Sequence, residues 1–311
     1  MTNLPDAVRS IPQTHGVLTE LNVTANGEYL PADYDADGFS KVTAKFDTSS
    51  LPKVKVSTFQ VTNDCINADG YFLAELIDTS ETTSLQKAFV NCTSLQTLDV
   101  SNWNVSKVTD FTQIFEETKI RQIDISNWNL SSAYSITAMF WGCTNLTNVD
   151  VSKLNTSSIV RFRGVFGGNQ KMNFNNIDVS NWNTRNGKEF GVLFKNCHLL
   201  TSLDLSNWDL SNATDVSDMF NGCSSLTSLI GNQPLKDDTC ALKGLRISAN
   251  MFTNGATNID RDSLRALING LADANDQPED SRPTLTLGTT LMVKLTEEDI
   301  AIATSKGWSI S

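Results

Sequence analysis

The middle of the chain carries a short alternation of apolar and polar residues that returns several times. A clear instance is LDVSNWNVS, residues 98–106, in which Leu98 and Val100 alternate with Asp99 and Ser101. A period of two residues is the pattern of a strand that buries one face. We therefore expect Leu98 and Val100 to point into a core, and Asp99 and Ser101 to point outward.

A second apolar pattern follows the tryptophan of this phrase. In VTDFTQIF, residues 108–115, the apolar positions lie three and four residues apart at Val108, Phe111, Ile114 and Phe115. Such spacing places side chains on one face of a helix. The sequence thus predicts one or two helical turns that cover the core.

The two patterns together form a unit that repeats. The strand phrase occurs at residues 98–106, 123–131, 149–157, 177–185 and 203–211. The phenylalanine of the second pattern occurs at Phe89, Phe115, Phe140, Phe166, Phe194 and Phe220. From each tryptophan position to the next phenylalanine the distance is always 12 residues, whereas from a phenylalanine to the next aspartate it varies from 9 to 12. Changes in length therefore fall on one side of the unit only.

A period of 25 to 28 residues with one variable side predicts a solenoid. No single unit can bury its own apolar face, so the units must stack in register. The predicted fold class is an α/β repeat with a parallel sheet and short helices, flanked by small β-rich or α+β caps. Six coils at the ~4.8 Å spacing of strands would give a sheet about 29 Å long.

The phrase F-x-x-C-x-x-L-x-x-L-D-[VIL]-S-N-W, which runs from Phe89 to Trp103, resembles the BspA-like leucine-rich-repeat surface proteins. The resemblance covers residues 85 to about 230. The departures from it are Leu154 in place of Trp, Thr118 and Asn169 in place of Cys, and Lys153 in place of Asn. The resemblance implies a leucine-rich-repeat solenoid and a role as a cell-surface or secreted adhesin or binding protein.

The segment 17–47 resembles a short β-module of bacteriophage tail and other virion proteins. The matching residues are N-G-x-Y-x-P at 26–31 and D-G-F-S-K-V at 37–42. Asn-Gly and Asp-Gly pairs are turn signals between strands. On this resemblance, residues 1–60 form a β-rich attachment segment that binds other virion proteins.

Changes of pattern set the remaining boundaries. Residues 61–258 are assigned to the solenoid with its cap, and residues 259–311 to a C-terminal capping module. In that module, residues 260–274 have a helical apolar face and residues 284–288 have the pattern of a strand. A second helix begins near Thr296, with Asp299 placed to complete a capping box. Such a module would cover the core that a bare last coil exposes.

The net charge of −11 limits the partners that we expect. Binding of nucleic acid or of anionic lipid needs clustered Lys and Arg, so neither is expected. No apolar run approaches the ~20 residues of a membrane span. The first residues also lack the basic and apolar regions of a signal peptide. We therefore expect a protein that stays in the producing cell or leaves it without a signal, for example by lysis.

Side chains that recur in every unit are interpreted as structural. The aspartates at 99, 124, 150, 178 and 204 are expected to hydrogen-bond the local backbone, rather than to act in acid–base chemistry or bind calcium. The recurring tryptophans are expected in the core, rather than as a sugar-binding platform. Four of the six cysteines recur at one position, which favours buried thiols over disulfides. We expect no enzyme activity, no cofactor and no metal site.

Residues that differ between units are better candidates for binding. The loops between phenylalanine and aspartate vary most, and the loop of residues 166–178 is the longest. The candidate binding residues are Lys171, Asn173, Asn176, Trp141 and His198. A metal site at Cys197 and His198 is disfavoured, because structural zinc needs four converging ligands.

These features predict a bacteriophage virion protein, such as a head or tail fibre, a decoration protein or a receptor-binding component. The solenoid would bind other virion proteins or a host surface protein or glycan, and the chain would form a homo-oligomer, with a trimer favoured. The alternative is a bacterial cell-surface or secreted BspA-like adhesin, which would be extracellular. A purely structural role without any ligand also stays open.

Overall fold

A computed structural model gives the architecture of most of the chain. It describes residues 54–66, 70–72, 74–170, 177–231, 234, 236, 238–252 and 254–311. The predicted virion-like β-module at 17–47 therefore lies outside the described residues. No helix in the described part is both long enough and apolar enough to cross a membrane.

The strands in these residues are two residues long and pair in parallel. They are β1 (Val54–Lys55), β2 (Tyr71–Phe72), β3 (Ile77–Asp78), β4 (Thr97–Leu98), β5 (Gln122–Ile123), β6 (Asn148–Val149), β7 (Thr284–Leu285) and β8 (Ser309–Ile310). The pairs are β1 with β3, β2 with β4, β5 with β6, and β7 with β8. In the pair of β5 and β6, Gln122 lies opposite Asn148, the same position of the next unit. Successive units thus stack in register there, as the repeat predicts.

A second parallel ladder joins the units on another side. Single bridges run from Ser84 through Asp110, Ser135, Arg161 and Glu189 to Asp215. Beside them, alternate amides donate to carbonyls of the next unit, as Phe111 does to Ser135 and Gln113 to Thr137, at 2.9 and 2.8 Å. We call the outer surface of these segments the ladder face. It is formed by residues 84–91, 110–117, 135–142, 161–168, 189–196 and 215–222.

The ladder takes the place of the short helices predicted after each tryptophan, and that prediction is wrong for the described units. Residues 108–118 contain no helix, and residues 112–117 form turns. Gln113 and Glu117 have φ of +59°, which reverses the helical bend. The amides of Phe115 and Glu117 donate to carbonyls of the next unit. They therefore do not donate to the carbonyls four residues earlier, as an α-helix requires. The repeated turns still direct Val108, Phe111, Ile114 and Phe115 into the core.

Aromatic rings form the centre of the stacked units. The phenylalanine stack runs through Phe89, Phe115, Phe140, Phe166, Phe194, Phe220 and Phe252, with neighbouring centroids 5.5–5.9 Å apart. The tryptophans stack in two pairs, Trp103 on Trp128 and Trp182 on Trp208. Leu154 stands between the two pairs and is itself buried. Each ring is therefore held by rings of neighbouring units, which a single unit could not supply.

The C-terminal module contains three α-helices. They are α1 (Arg261–Gly270), α2 (Thr289–Met292) and α3 (Glu297–Ser305), and a short 3-10 turn lies at Glu279–Ser281. Two further 3-10 turns, Asn63–Cys65 and Ala74–Leu76, lie before the first repeats. The predicted helices match α1 and α3, and the predicted strand at 284–288 contains β7. The capping box is confirmed, since the Thr296 hydroxyl accepts from the Asp299 amide and the Asp299 carboxylate accepts from the Thr296 amide. The short helix α2 was not predicted.

The module continues the core of the repeats. The amide of Leu229 donates to the Ser263 hydroxyl on α1 at 2.9 Å, and the amide of Asp260 donates to the carbonyl of Thr227. The buried apolar residues of both parts belong to one cluster. These contacts place α1 against the last repeat, where the sequence predicts a cap.

Candidate functional site

The aspartate ladder is engaged in tight turns, as predicted. Oδ1 of Asp124 accepts hydrogen bonds from the amide and the hydroxyl of Ser126, at 3.0 and 2.7 Å. The same pair of bonds forms at Asp99, Asp150, Asp178 and Asp204. Donation by the hydroxyls and amides of Ser126 and Ser152 holds the pKa of Asp124 and of Asp150 below the ordinary value. These carboxylates therefore stabilise the local turn, by accepting hydrogen bonds from the serine two residues further along.

The tryptophan ladder belongs to the core, which confirms the interpretation made from spacing. Trp103, Trp128, Trp182 and Trp208 are at most 4% exposed. The indole N–H of Trp128 donates to the carbonyl of Val100, and that of Trp208 donates to the carbonyl of Val179, each in the preceding unit. These rings are not accessible to a ligand.

The cysteine ladder also joins neighbouring units. The buried thiol of Cys143 donates to the carbonyl of Phe115 at 3.0 Å, and that of Cys223 donates to Phe194 at 3.0 Å. Burial raises the pKa of both thiols to about 12, so they stay protonated at neutral pH. With the units counted from the one that holds Phe89, the fourth is the unit of Phe166. There Asn169 takes this role, because its Nδ2 donates to the carbonyl of Phe140 at 2.8 Å.

The predicted binding residues do not form one described site. Lys171, Asn173 and Asn176 lie outside the described residues. His198 is half-buried in the loop of the fifth unit, beside Leu199, which is 52% exposed. Trp141 is half-buried on the ladder face of the third unit, two units away.

Trp141 lies against glycines of the fourth unit. A β-carbon at Gly164 would be 2.9 Å from Cε3 of the indole, and one at Gly167 would overlap Cζ3. A β-carbon at Gly168 would be 3.6 Å from Nε1. The ring thus occupies space that any side chain at Gly164 or Gly167 would fill.

Charged side chains pair with one another elsewhere on the ladder face. Arg161 pairs with Glu189 at 3.2 Å and lies over the ring of Tyr134, 5.2 Å from its centroid. Arg163 reaches Asp215 two units away at 2.5 Å. This pair crosses Gly191, where a β-carbon would overlap both charged groups. Glycines in the fourth and fifth units therefore let neighbouring side chains lie flat on this face.

A shallow pocket of about 330 Å³ lies near the third unit. Its lining residues are Arg121, Thr144, Asn145 and Thr147. Lys119 Nζ donates to the Thr144 hydroxyl at 3.0 Å, so the adjoining loops are joined there. Of the predicted binding residues, Trp141 is the one in the same loop between Phe140 and Asp150.

The glycines against which Trp141 packs, Gly164 and Gly167, form what we call its glycine seat. The seat was not predicted, although the sequence contains a sign of it. The position after the repeated phenylalanine holds Val90, Glu116, Trp141, Gly167, Lys195 and Asn221 in successive units. The single tryptophan in that series is followed in the next unit by glycine, and such a pair indicates a contact between units. The contact could not be predicted from the sequence alone, because the pattern does not show that the position after the phenylalanine faces outward.

Comparison with known proteins supplies a family. The family model described as "Mycoplasma protein of unknown function, DUF285" matches residues 34–148, 58–174 and 118–233. A search of curated proteins finds no match. The DUF285 family is related to the BspA-like repeat proteins, so the repeat resemblance and the family agree. Since the matches together span more than half of the 311 residues, the chain belongs to the DUF285 family.

Proposed function

We propose that the chain is a leucine-rich-repeat solenoid that binds a partner and catalyses no reaction. The observation that carries this proposal is that recurring residues hold the units together, whereas the residues that vary lie on the outer surface. The recurring aspartates, tryptophans and cysteines are engaged in hydrogen bonds within or between units, as at Asp124, Trp128 and Cys143. The ladder face instead changes in charge and size from unit to unit. A regular scaffold with one variable outer face suits recognition.

We further propose that the protein is a bacteriophage virion component, attached through residues 1–60 to other virion proteins, with a trimer favoured. This placement rests on the resemblance of residues 26–42 to virion modules. The solenoid would then bind a host surface protein or glycan as a fibre, decoration or receptor-binding component. The strongly acidic charge argues against nucleic acid as the partner.

The second candidate is a bacterial cell-surface or secreted adhesin. It is favoured by membership of a family related to the BspA-like proteins. In this case the same solenoid would act from the cell envelope, and residues 1–60 would have a different role.

Mass spectrometry of purified particles and of proteolytically shaved cells would test the placement. The virion proposal predicts peptides from residues 85–230 in density-purified particles, at a constant ratio to the major capsid protein. Peptides in the shaved fraction of intact cells, with none in particles, would replace it by the adhesin. Peptides only in the lysate of shaved cells would contradict both.

A further inference from the structure

We infer that the ladder face around Trp141 is a carbohydrate-binding site for an uncharged glycan. The inference rests on the proposed binding function and names its ligand class and its central residue.

Trp141 differs from every other tryptophan of the chain. Of the six, the other five (Trp103, Trp128, Trp182, Trp208 and Trp308) are buried, at most 4% exposed. Trp141 alone is half-buried. Other units carry Glu116 or Lys195 at the same position, so an aromatic ring is not a requirement of the repeat there. A partly exposed indole offers a ligand both an apolar surface and an N–H donor.

The ring lies close against the backbone of the next unit. Its six-membered ring lies against Gly164 and Gly167, and its Nε1 lies beside Gly168. Glycine at these positions removes the side chains that would lift the indole away from the backbone. A fixed aromatic surface costs little conformational entropy on binding, and this is the advantage of tryptophan at recognition sites.

Hydrogen-bonding groups of both kinds lie on the face within reach of an oligosaccharide that covers the ring. The Glu117 carboxylate lies over Gly142, the residue that follows Trp141. On the other side, Lys195 stands two units from Trp141, about 10 Å away at ~4.8 Å per unit. Acceptors and donors at both sides of an aromatic surface match a sugar, whose hydroxyl groups both donate and accept while one face of its ring is apolar.

The charges favour an uncharged ligand. Arg161 pairs with Glu189, Arg163 with Asp215, and Lys195 with Asp218. These three are the cations of the ladder face between residues 110 and 222, and each has an anionic partner. That part of the face therefore offers no free positive charge to a phosphate, sulfate or acidic sugar. The exposed apolar area is also small for a protein interface. The large apolar residues exposed in the described chain are Tyr134, Leu199 and Val293, and only Tyr134 borders the ladder face.

The test is a binding screen of the full chain with a defined panel of soluble neutral oligosaccharides, ending in glucose, galactose, mannose, N-acetylglucosamine or N-acetylgalactosamine. We expect at least one to bind and to protect one tryptophan from oxidation by N-bromosuccinimide. Trp141 should be that residue, identified by peptide mass spectrometry. Trp141→Ala should weaken binding at least tenfold, and Leu199→Ala, an exposed apolar control, should leave it unchanged.

A second variant tests the seat of the ring. Gly167→Val keeps Trp141 but displaces its indole, so it should also weaken the same oligosaccharide at least tenfold. Circular dichroism of all variants checks that they fold. The inference is overturned if none of the panel binds at millimolar concentration, or if a bound sugar fails to protect Trp141. It is also overturned if binding survives Trp141→Ala. Particle composition is measured separately, so a failed screen would leave the proposed virion placement intact.

Discussion

At the scale of single residues, the structure explains how one unit tolerates a change that the sequence marks as a departure. Asn169 stands where other units have cysteine, and it keeps the bond that matters by donating to the carbonyl of Phe140. Its Oδ1, however, is buried and accepts no hydrogen bond from any described residue. An amide that replaces a thiol therefore retains the donor and adds an unsatisfied acceptor.

Asn169→Cys should therefore stabilise the protein. The thiol can donate to Phe140 as Cys143 does to Phe115, and the buried amide oxygen is removed, which should add about 1 kcal/mol to the free energy of unfolding. Chemical denaturation of the wild type and the variant measures the change. Asn169→Ala, which removes the donor as well, is the control and should be less stable than Asn169→Cys. A lower stability of Asn169→Cys than of the wild type would contradict the account.

The turn at Asp124 makes a prediction about pH. Because the Ser126 hydroxyl and amide donate to its carboxylate, the pKa of Asp124 lies below the ordinary value. Carbon-13 NMR titration should find that depressed pKa, and Ser126→Ala should raise it. Asp150, whose partner Ser152 is unchanged, serves as the internal control. An unchanged pKa of Asp124 in Ser126→Ala would show that the hydroxyl is not the cause.

At the scale of elements, the sequence predicts which residues are buried better than it predicts the backbone conformation. The alternation correctly gives Leu98 and Val100 as buried, but β4 ends at Leu98, so Val100 lies beyond the strand. The apolar positions after Trp103 are all buried. The conformation of that second segment could not be predicted, because turns with residues at positive φ can produce nearly the same apolar spacing as a helix. Only the partner of each amide, which lies in the next unit, decides between them.

The C-terminal module depends on one buried carboxylate. Asp299 is fully buried, caps α3 with Thr296, and accepts from Arg261 and Arg265 at 2.9 Å each. Burial alone would raise its pKa, but the hydrogen bonds from Thr296 and Arg261 outweigh burial and hold the pKa below the ordinary value.

Asp299→Ala should cost about 2–4 kcal/mol of stability at pH 7, since it removes a cap and charge-assisted hydrogen bonds. Because the folded-state pKa is depressed, this stabilisation is complete above the ordinary carboxyl pKa of about 4 and is lost as pH falls through the folded value. Denaturation curves between pH 7 and pH 2 should therefore converge for wild type and variant at acid pH. Glu297→Ala, an exposed change in the same helical turn, should have almost no effect. A constant difference at all pH values would contradict this role of Asp299.

At the scale of the whole molecule, the residues that recur in the units build the core, whereas the candidate site consists of residues that do not recur. The regular stack from Phe89 to Phe252 builds a scaffold that sequence periodicity predicts almost completely. The candidate site is an exception to that periodicity, and the sequence identified Trp141 without its glycine seat. It also grouped Trp141 with His198, which lies two units away. Contacts between units are not visible in a pattern read along one unit.

The central claim is that this scaffold is displayed on a surface where it binds a partner. Immunogold electron microscopy of unpermeabilised particles and cells, with an antibody against residues 85–230, tests it most directly. The account predicts label on virions at a symmetric location. Label on cell envelopes alone would move the scaffold to the adhesin alternative. Label only inside broken cells, with none on particles or envelopes, would contradict the claim of a surface-binding protein.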